Sequence, residues 1–431
     1  MKKLFLLSFE GMNSDLIDTW IESGHLKNFK RLKQEGYLGN IKCSRIPYES
    51  SGIMSVLSGM SDSEHGQYSY WHVHNQDYIP KVHNGEYPKK YHFWQQEKFK
   101  EHRKGIVNIF GTHPAYDING YLITYAMNRT LRYTYPVDFM RELSKKGLSY
   151  VQDMGAFYKN QGKEAFIHEV LKVEKMRHEV CKELLRKDLD LYVFNYTCID
   201  RVCHFFMNEL LDKTMDLKDK AVFIMYQYCD EILGDILDFV EKCNGELILF
   251  SSVGFGQLNH FVEINQYLAE KKLLKWSDNK RIPDWNKTIA FESVQGSHGI
   301  NINREHIYER GMVKDCEYDC LIKDVIRELE KMPNPYNDNP MFCKVVPGKE
   351  FYDSNIEAPD IVLEPFDWTY LPYGDTYWSD RVSRHSQTGW HRNESVWGRF
   401  GLRTDKEELS QVQELKDIFT QIQTIEGGQR G

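Results

Sequence analysis

Asp200 and His204 stand four residues apart in "LYVFNYTCIDRVCHFF" (Leu191 to Phe206), just beyond the apolar run Leu191 to Phe194. On a helix that spacing puts both side chains on one face. A carboxylate beside an imidazole is a donor pair suited to zinc, manganese or iron. The pair alone also fits an acidic first turn and a core histidine. Its setting gives it weight, because two other strand-like runs also end in polar residues. "LFLLSFEG" ends at Glu10 and "LILFSSVGFG" turns polar at Ser251 and Ser252.

The elements that would carry these residues alternate. "KLFLLSF" leads into an amphipathic stretch from Ser14 to Glu35, followed by "GNIKCSRI" and, further on, "GIVNIF" (Gly105 to Phe110). A helix is predicted over Lys163 to Leu185, with Phe166, Val170, Val173, Val180 and Leu184 near one face. "LYVFNY", a helix over Leu217 to Cys243 and "ELILFSS" follow. This order predicts an α/β fold, a mainly parallel central sheet flanked by helices. Ligands of such sheets bind beyond the carboxyl ends of the strands, where Glu10, Asp200 and Ser252 would meet. One α/β domain is expected over 1–405. A cap-like insertion at about 111–151, rich in turns and aromatics, would cover its face, and 406–431 would form a C-terminal helix and loose tail.

The chain has 431 residues, enough for a large core, and 41% hydrophobic with 27% charged residues is the balance of a soluble globular protein. A net charge of −8 argues against a nucleic-acid polymer as partner. The apolar stretch in "MKKLFLLSFEG" is too short for a signal peptide, and no run of about eighteen apolar residues spans a membrane. Nine scattered cysteines, an odd count, fit a reducing interior, so a cytoplasmic location is expected. Cys316/Cys320 and Cys198/Cys203 lack the companion pairs of a zinc site.

Read in order, the chain resembles the alkaline phosphatase superfamily in its type I phosphodiesterase/nucleotide pyrophosphatase branch. "LFLLSFEG" stands where that branch has a strand ending in Asp-Gly, and "NFKRLKQEGYLG" is similar to its following segment. "IPYESSGIMSVLSGMSDSEHG" keeps the frame of the nucleophile segment, with Gly59, His65 and Gly66 in place. "THPAYDINGYLITYAM", "CIDRVCHFF", "LILFSSVGFG", "VQGSHGININ", "APDIVLEP" and "GWHRNESVWGRFG" follow in family order. The likeness runs over roughly residues 2 to 403.

The resemblance implies two metal ions clamping the attacking and leaving oxygens of a phosphoester. Asp200, His204 and His391 match the ligands of one ion. Glu10, Glu49, Ser252 and Val253 stand where the family places the ligands of the other and its nucleophilic Thr. Valine cannot ligate and serine is a poor ligand for a divalent ion, so one ion is expected, zinc in preference to manganese or iron. The function implied is a metal-dependent hydrolase or transferase acting on a small phosphodiester or nucleotide-linked metabolite. Glu49 or Glu10 would be the base and Ser50 a neighbouring hydroxyl, while Arg201 and His385 would neutralise the anionic substrate. The alternative is a non-catalytic relative that binds a phosphorylated ligand or a protein partner. Acidic replacements at both Glu10 and Glu49 favour retained chemistry.

Overall fold

In the computed structural model, residues 2–83, 86–126, 130–152, 158, 161–278, 282–294, 296–353, 358–374, 386–401 and 405–427 are described. The chain packs as two compact units, each built from discontinuous segments. The first unit comprises Met1–Ser61, Asn84–Gly256 and Gly389–Gly431; the second comprises Asp62–His83 and Gln257–Thr388.

The first unit is organised on an eight-stranded sheet. Its strands are β1 (Leu4–Phe9), β2 (Tyr37–Lys42), β3 (Lys104–Ile109), β4 (Gly120–Thr124), β5 (Thr134–Tyr135), β6 (Leu191–Tyr196), β7 (Glu246–Phe250) and β8 (Glu394–Phe400). They lie in the order β2-β8-β7-β1-β6-β3-β4-β5. The five central strands, β7 to β4, run parallel, and β8 and β5 join antiparallel. β1 and β6 are buried at every position, which is why both read as continuous apolar runs and not as alternating ones. The helices α1 (Ser14–Glu22), α2 (Lys27–Glu35), α3 (Glu49–Ser58), α4 (Lys163–Leu185), α5 (Cys198–Phe206) and α6 (Ala221–Lys242) accompany this sheet. α4 buries Phe166, Val170, Val173, Val180 and Leu184, the face its periodicity predicts. Among the described residues no helix is long and apolar enough to cross a membrane.

The stretch read from the sequence as a cap, 111–151, supplies β4 and β5 to one side of this sheet. Tyr121 and Tyr133, which made it look cap-like, pack against the core of the first unit. The second unit has a sheet of its own, four strands in the order Ala290–Glu292, Gly299–Ile302, Ile361–Pro365 and Phe342–Pro347, all antiparallel. Its core gathers Ile300, Ile302, Val325, Leu329, Ile361 and Leu363. The sequence reading of one domain over 1–405 draws no such division.

His92 makes a measurable contribution to the first unit. Its ring is fully buried, stacked on Trp94 at 4.7 Å, with Nδ1 3.0 Å from the Tyr116 hydroxyl. Burial pushes the imidazole down to about 3, whereas an unfolded histidine titrates near 6.5. Above pH 6.5 both states are neutral and no pH dependence arises. Below it only the unfolded chain takes the proton, so stability falls by about 1.4 kcal/mol per pH unit until pH nears 3. In urea titrations the wild type should lose about 2 kcal/mol more than His92→Gln between pH 7 and pH 5. Equal losses in the two proteins would rule out this histidine as a source of acid sensitivity.

Candidate metal centre

Three parallel strands end at one place. Glu10 follows β1, Thr197 and α5 follow β6, and Ser251 and Ser252 follow β7. The Asp200 amide donates to the Glu10 carbonyl at 3.1 Å, locking the first turn of α5 to the end of β1. Gly11 permits this approach: its φ is +85°, and a Cβ there would lie 3.1 Å from the Asp200 backbone. α3 comes equally close to the end of β7, because a Cβ on Gly52 would collide with the Ser252 carbonyl oxygen.

These contacts bring four donors together. Asp200 Oδ1 lies 3.1 Å from His391 Nε2 and 3.6 Å from His204 Nε2. Glu49 Oε1 lies 3.3 Å from His391 Nε2. One ligand atom from each of Glu49, Asp200, His204 and His391 falls within 4.8 Å of the others. The donors come from α3, α5 and the strand Gly389–Arg392. The imidazoles are boxed in by rings: Phe255 and Trp390 each lie 4.9 Å from His204, and Tyr48 lies 5.9 Å from His391.

The set fits a divalent cation on charge as well as on distance. Glu10, Glu49 and Asp200 are all buried, an expensive concentration of negative charge in a low dielectric. Oε2 of Glu49 and of Glu10 have no hydrogen-bond partner, and neither do the hydroxyls of Ser50 and Ser252. The electrostatics of the buried groups carry the same imbalance. Burial and then Glu49 and Asp200 push Glu10 well above the usual carboxylate range. Burial alone would lower His391, but Glu49 and Asp200 outweigh it and raise the imidazole to about 10. Asp200, despite its burial, is held below the ordinary range by His204, His391 and Arg201. Burial takes His204 down to about 4, leaving a neutral ring with a lone pair to offer.

The other expected site residues are placed as follows. Arg201 Nη1 pairs with Asp200 Oδ2 at 3.2 Å and Nη2 donates to the Tyr125 hydroxyl at 3.1 Å, so both ends of its guanidinium are engaged. Ser50 is buried beside Glu49 but is not among the four donors. Val253 is wholly buried, with its carbonyl accepting from the Ser251 and Ser395 hydroxyls. His385 lies outside the described residues.

Two supporting groups escaped the sequence reading. Asn195 Nδ2 donates to Glu10 Oε1 at 2.6 Å and to the Asn108 carbonyl at 3.1 Å. A polar residue inside the apolar run "LYVFNY" was the available signal. Glu174 on α4 accepts from the Thr197 amide at 2.8 Å and hydroxyl at 3.2 Å, and pairs with the buried Arg177. It fixes the start of α5, and nothing local in the sequence marks it.

The sequence profile of type I phosphodiesterases/nucleotide pyrophosphatases matches residues 4–392. The chain belongs to that family. It is a phosphoester hydrolase family of the alkaline phosphatase superfamily. No curated protein matches the chain by sequence. Among solved structures, phosphonoacetate hydrolase from Sinorhizobium meliloti 1021, in complex with phosphonoformate, is similar with a TM-score of 0.63. It is 11% identical, over 99% of this chain and 96% of that one. Murine ectonucleotide pyrophosphatase/phosphodiesterase 5 has a TM-score of 0.56 and 12% identity, over 99% and 95% of the two chains. An inactive variant of that murine protein has been solved in complex with AMP. At such identities the likeness speaks to the fold, the mainly parallel α/β sheet of phosphodiesterase-family members.

Proposed function

We propose that the protein is a single-metal phosphoester hydrolase or transferase acting on a small phosphodiester or nucleotide-linked metabolite. The observation that carries this reading is the cluster of buried Asp200, His391 and Glu49 with partly buried His204 at the carboxyl ends of parallel strands. Two imidazoles with carboxylates suit zinc, with manganese or iron as the alternatives. The ion, when bound, supplies Lewis-acid polarisation of a phosphoryl oxygen. Asp200, His204 and His391 hold it, and Arg201 steadies the second oxygen of Asp200.

Glu49 stands where the family carries a hydroxyl nucleophile. A carboxylate attacking an anionic phosphate needs strong charge neutralisation, and one divalent ion beside three carboxylates offers little. Glu49 is better suited to take the proton from an attacking water or substrate hydroxyl. Glu10, held by Asn195, backs this site from β1. Ser50 is the nearest hydroxyl in sequence, and His385 is the remaining candidate for charge neutralisation. The AMP and phosphonoformate held by structural relatives support a small phosphorylated substrate. The net charge of −8 disfavours a nucleic-acid polymer, and nine unbridged cysteines support a cytoplasmic setting without a membrane partner.

The second reading, a non-catalytic relative, is favoured by one observation: Ser252 and Val253 stand in place of two ligands at the family's other metal position. Elemental analysis and a turnover screen decide between the two. Protein purified without added metal should carry one tight equivalent and hydrolyse a phosphodiester such as bis(4-nitrophenyl) phosphate. Two stoichiometric ions would sink the single-metal reading. Absence of turnover over phosphodiesters, phosphomonoesters and sulfate esters, with metal present, would select the non-catalytic one.

A further inference from the structure

Glu49 differs from the other donors in how it is held. Asp200 is gripped at both oxygens, Oδ1 by two imidazoles and Oδ2 by Arg201. Each histidine is wedged among aromatic rings. Glu49 sits in the first turn of α3 with Oε1 3.3 Å from His391 Nε2, and Oε2 has no hydrogen-bond partner. Nδ1 of His204 and of His391 also lacks a hydrogen-bond partner, but those rings are held by their aromatic neighbours, so of the two carboxylate donors and two rings Glu49 is the one least tied to the scaffold.

Coordination number makes that difference consequential. Tetrahedral zinc sites with four protein ligands are closed, whereas catalytic ones keep three and leave a position open. Charge acts in the same direction. Two carboxylates and two neutral imidazoles cancel a divalent cation, so the complete set is neutral and has no net pull on a phosphate anion. Without Glu49 the same centre carries one positive charge.

We infer that Glu49 is the fourth protein donor of this centre and its gate: the ion is closed while Glu49 is bound, and a phosphoester reaches it only in exchange for the Glu49 carboxylate. The inference rests on the metal centre proposed above and adds its regulation. Once displaced, Glu49 is free to accept the proton of the attacking group. Resting ligand and working base are then two positions of one flexible side chain. A single unit charge a few ångströms away shifts anion binding by more than about tenfold at the effective dielectric of protein sites. Removing Glu49 should therefore tighten phosphate binding even as it removes turnover.

Cobalt(II) in place of the native ion makes coordination visible, since four-coordinate cobalt absorbs much more strongly in the visible than five-coordinate cobalt. The wild type loaded with one cobalt should give a strong band that responds to inorganic phosphate only at concentrations at least about tenfold above those that shift the band of Glu49→Ala. Glu49→Ala, with water in the place of the carboxylate, should give a band of different position that shifts with phosphate, at an affinity at least about tenfold above that of the wild type. If Glu49→Ala fails to retain cobalt, Glu49→Gln, which keeps the shape without the charge, is read in its place against the same expectations. A wild-type band that moves with phosphate as readily as the variant's, or a variant band identical to the wild type's, overturns the gate while leaving the metal centre standing. Failure of the wild type to take up cobalt at all overturns the metal centre and the gate together.

Discussion

Asp200→Asn should cost the protein its metal. Asp200 is the hub of the cluster, with Oδ1 facing both imidazoles and Oδ2 facing Arg201, and it is wholly buried. Asparagine keeps the volume but brings no charge, and its amide NH₂ is repelled by a cation. Loss of an outer hydrogen-bond partner of a metal ligand already costs 10–100-fold in affinity, so loss of the ligand itself should cost roughly 100-fold or more. Turnover should fall to background with it. The fold should survive, because Arg201 keeps its bond to the Tyr125 hydroxyl and the core around α5 is untouched. Chelator competition measures the affinity directly. Retention of affinity for a divalent ion within tenfold of the wild type would show that Asp200 is not a ligand.

The second large effect lies away from the cluster. Glu174 and Arg177 form a buried ion pair on α4, and Glu174 also receives the Thr197 amide and hydroxyl at the start of α5. Removing one member of a buried pair typically costs about 3–5 kcal/mol, because the remaining charge loses its compensation in a low dielectric. Glu174→Ala should therefore lower stability by roughly 3–5 kcal/mol. It should also weaken metal binding about 10–100-fold by loosening the helix that carries Asp200 and His204. A double variant, Glu174→Gln with Arg177→Met, should recover part of the stability, since apolar replacement of a whole buried pair is often close to neutral. Recovery of stability without recovery of metal affinity would separate positioning of α5 from simple packing. A single-variant loss below about 1 kcal/mol would remove the pair from any such role.

Much of this was legible from local pattern. The helix over Lys163 to Leu185 has the bounds its periodicity predicts. Leu4–Phe9 and Leu191–Tyr196 are the buried strands that their continuous apolar runs imply, and their parallel pairing follows from the helices between them. The spacing of Asp200 and His204 placed them on one helical face, because helix geometry is a property of the nearest few residues. The resemblance to a known family then supplied His391, which no local rule connects to them.

What the tertiary structure alone decided depends on residues far apart in the chain. The second compact unit joins 62–83 to 257–388 across a long stretch of the first unit's sequence, and nothing local in the sequence pairs these two segments. The aromatic stretch 111–151, read as a cap, completes a sheet, since stickiness in sequence does not say which surface it will cover. Arg201 read as a cation for substrate, yet its guanidinium is spent on Asp200 and Tyr125. Most of all, the sequence leaves Glu49 open between base and metal ligand in the nucleophile's place, and the fold sets it among the donors beside His391. A carboxylate's role is set by the charges within a few ångströms of it. Sequence fixes which charges exist, but only the approach of α3 to the end of β7 and of α5 to the end of β1 brings these into the same small volume.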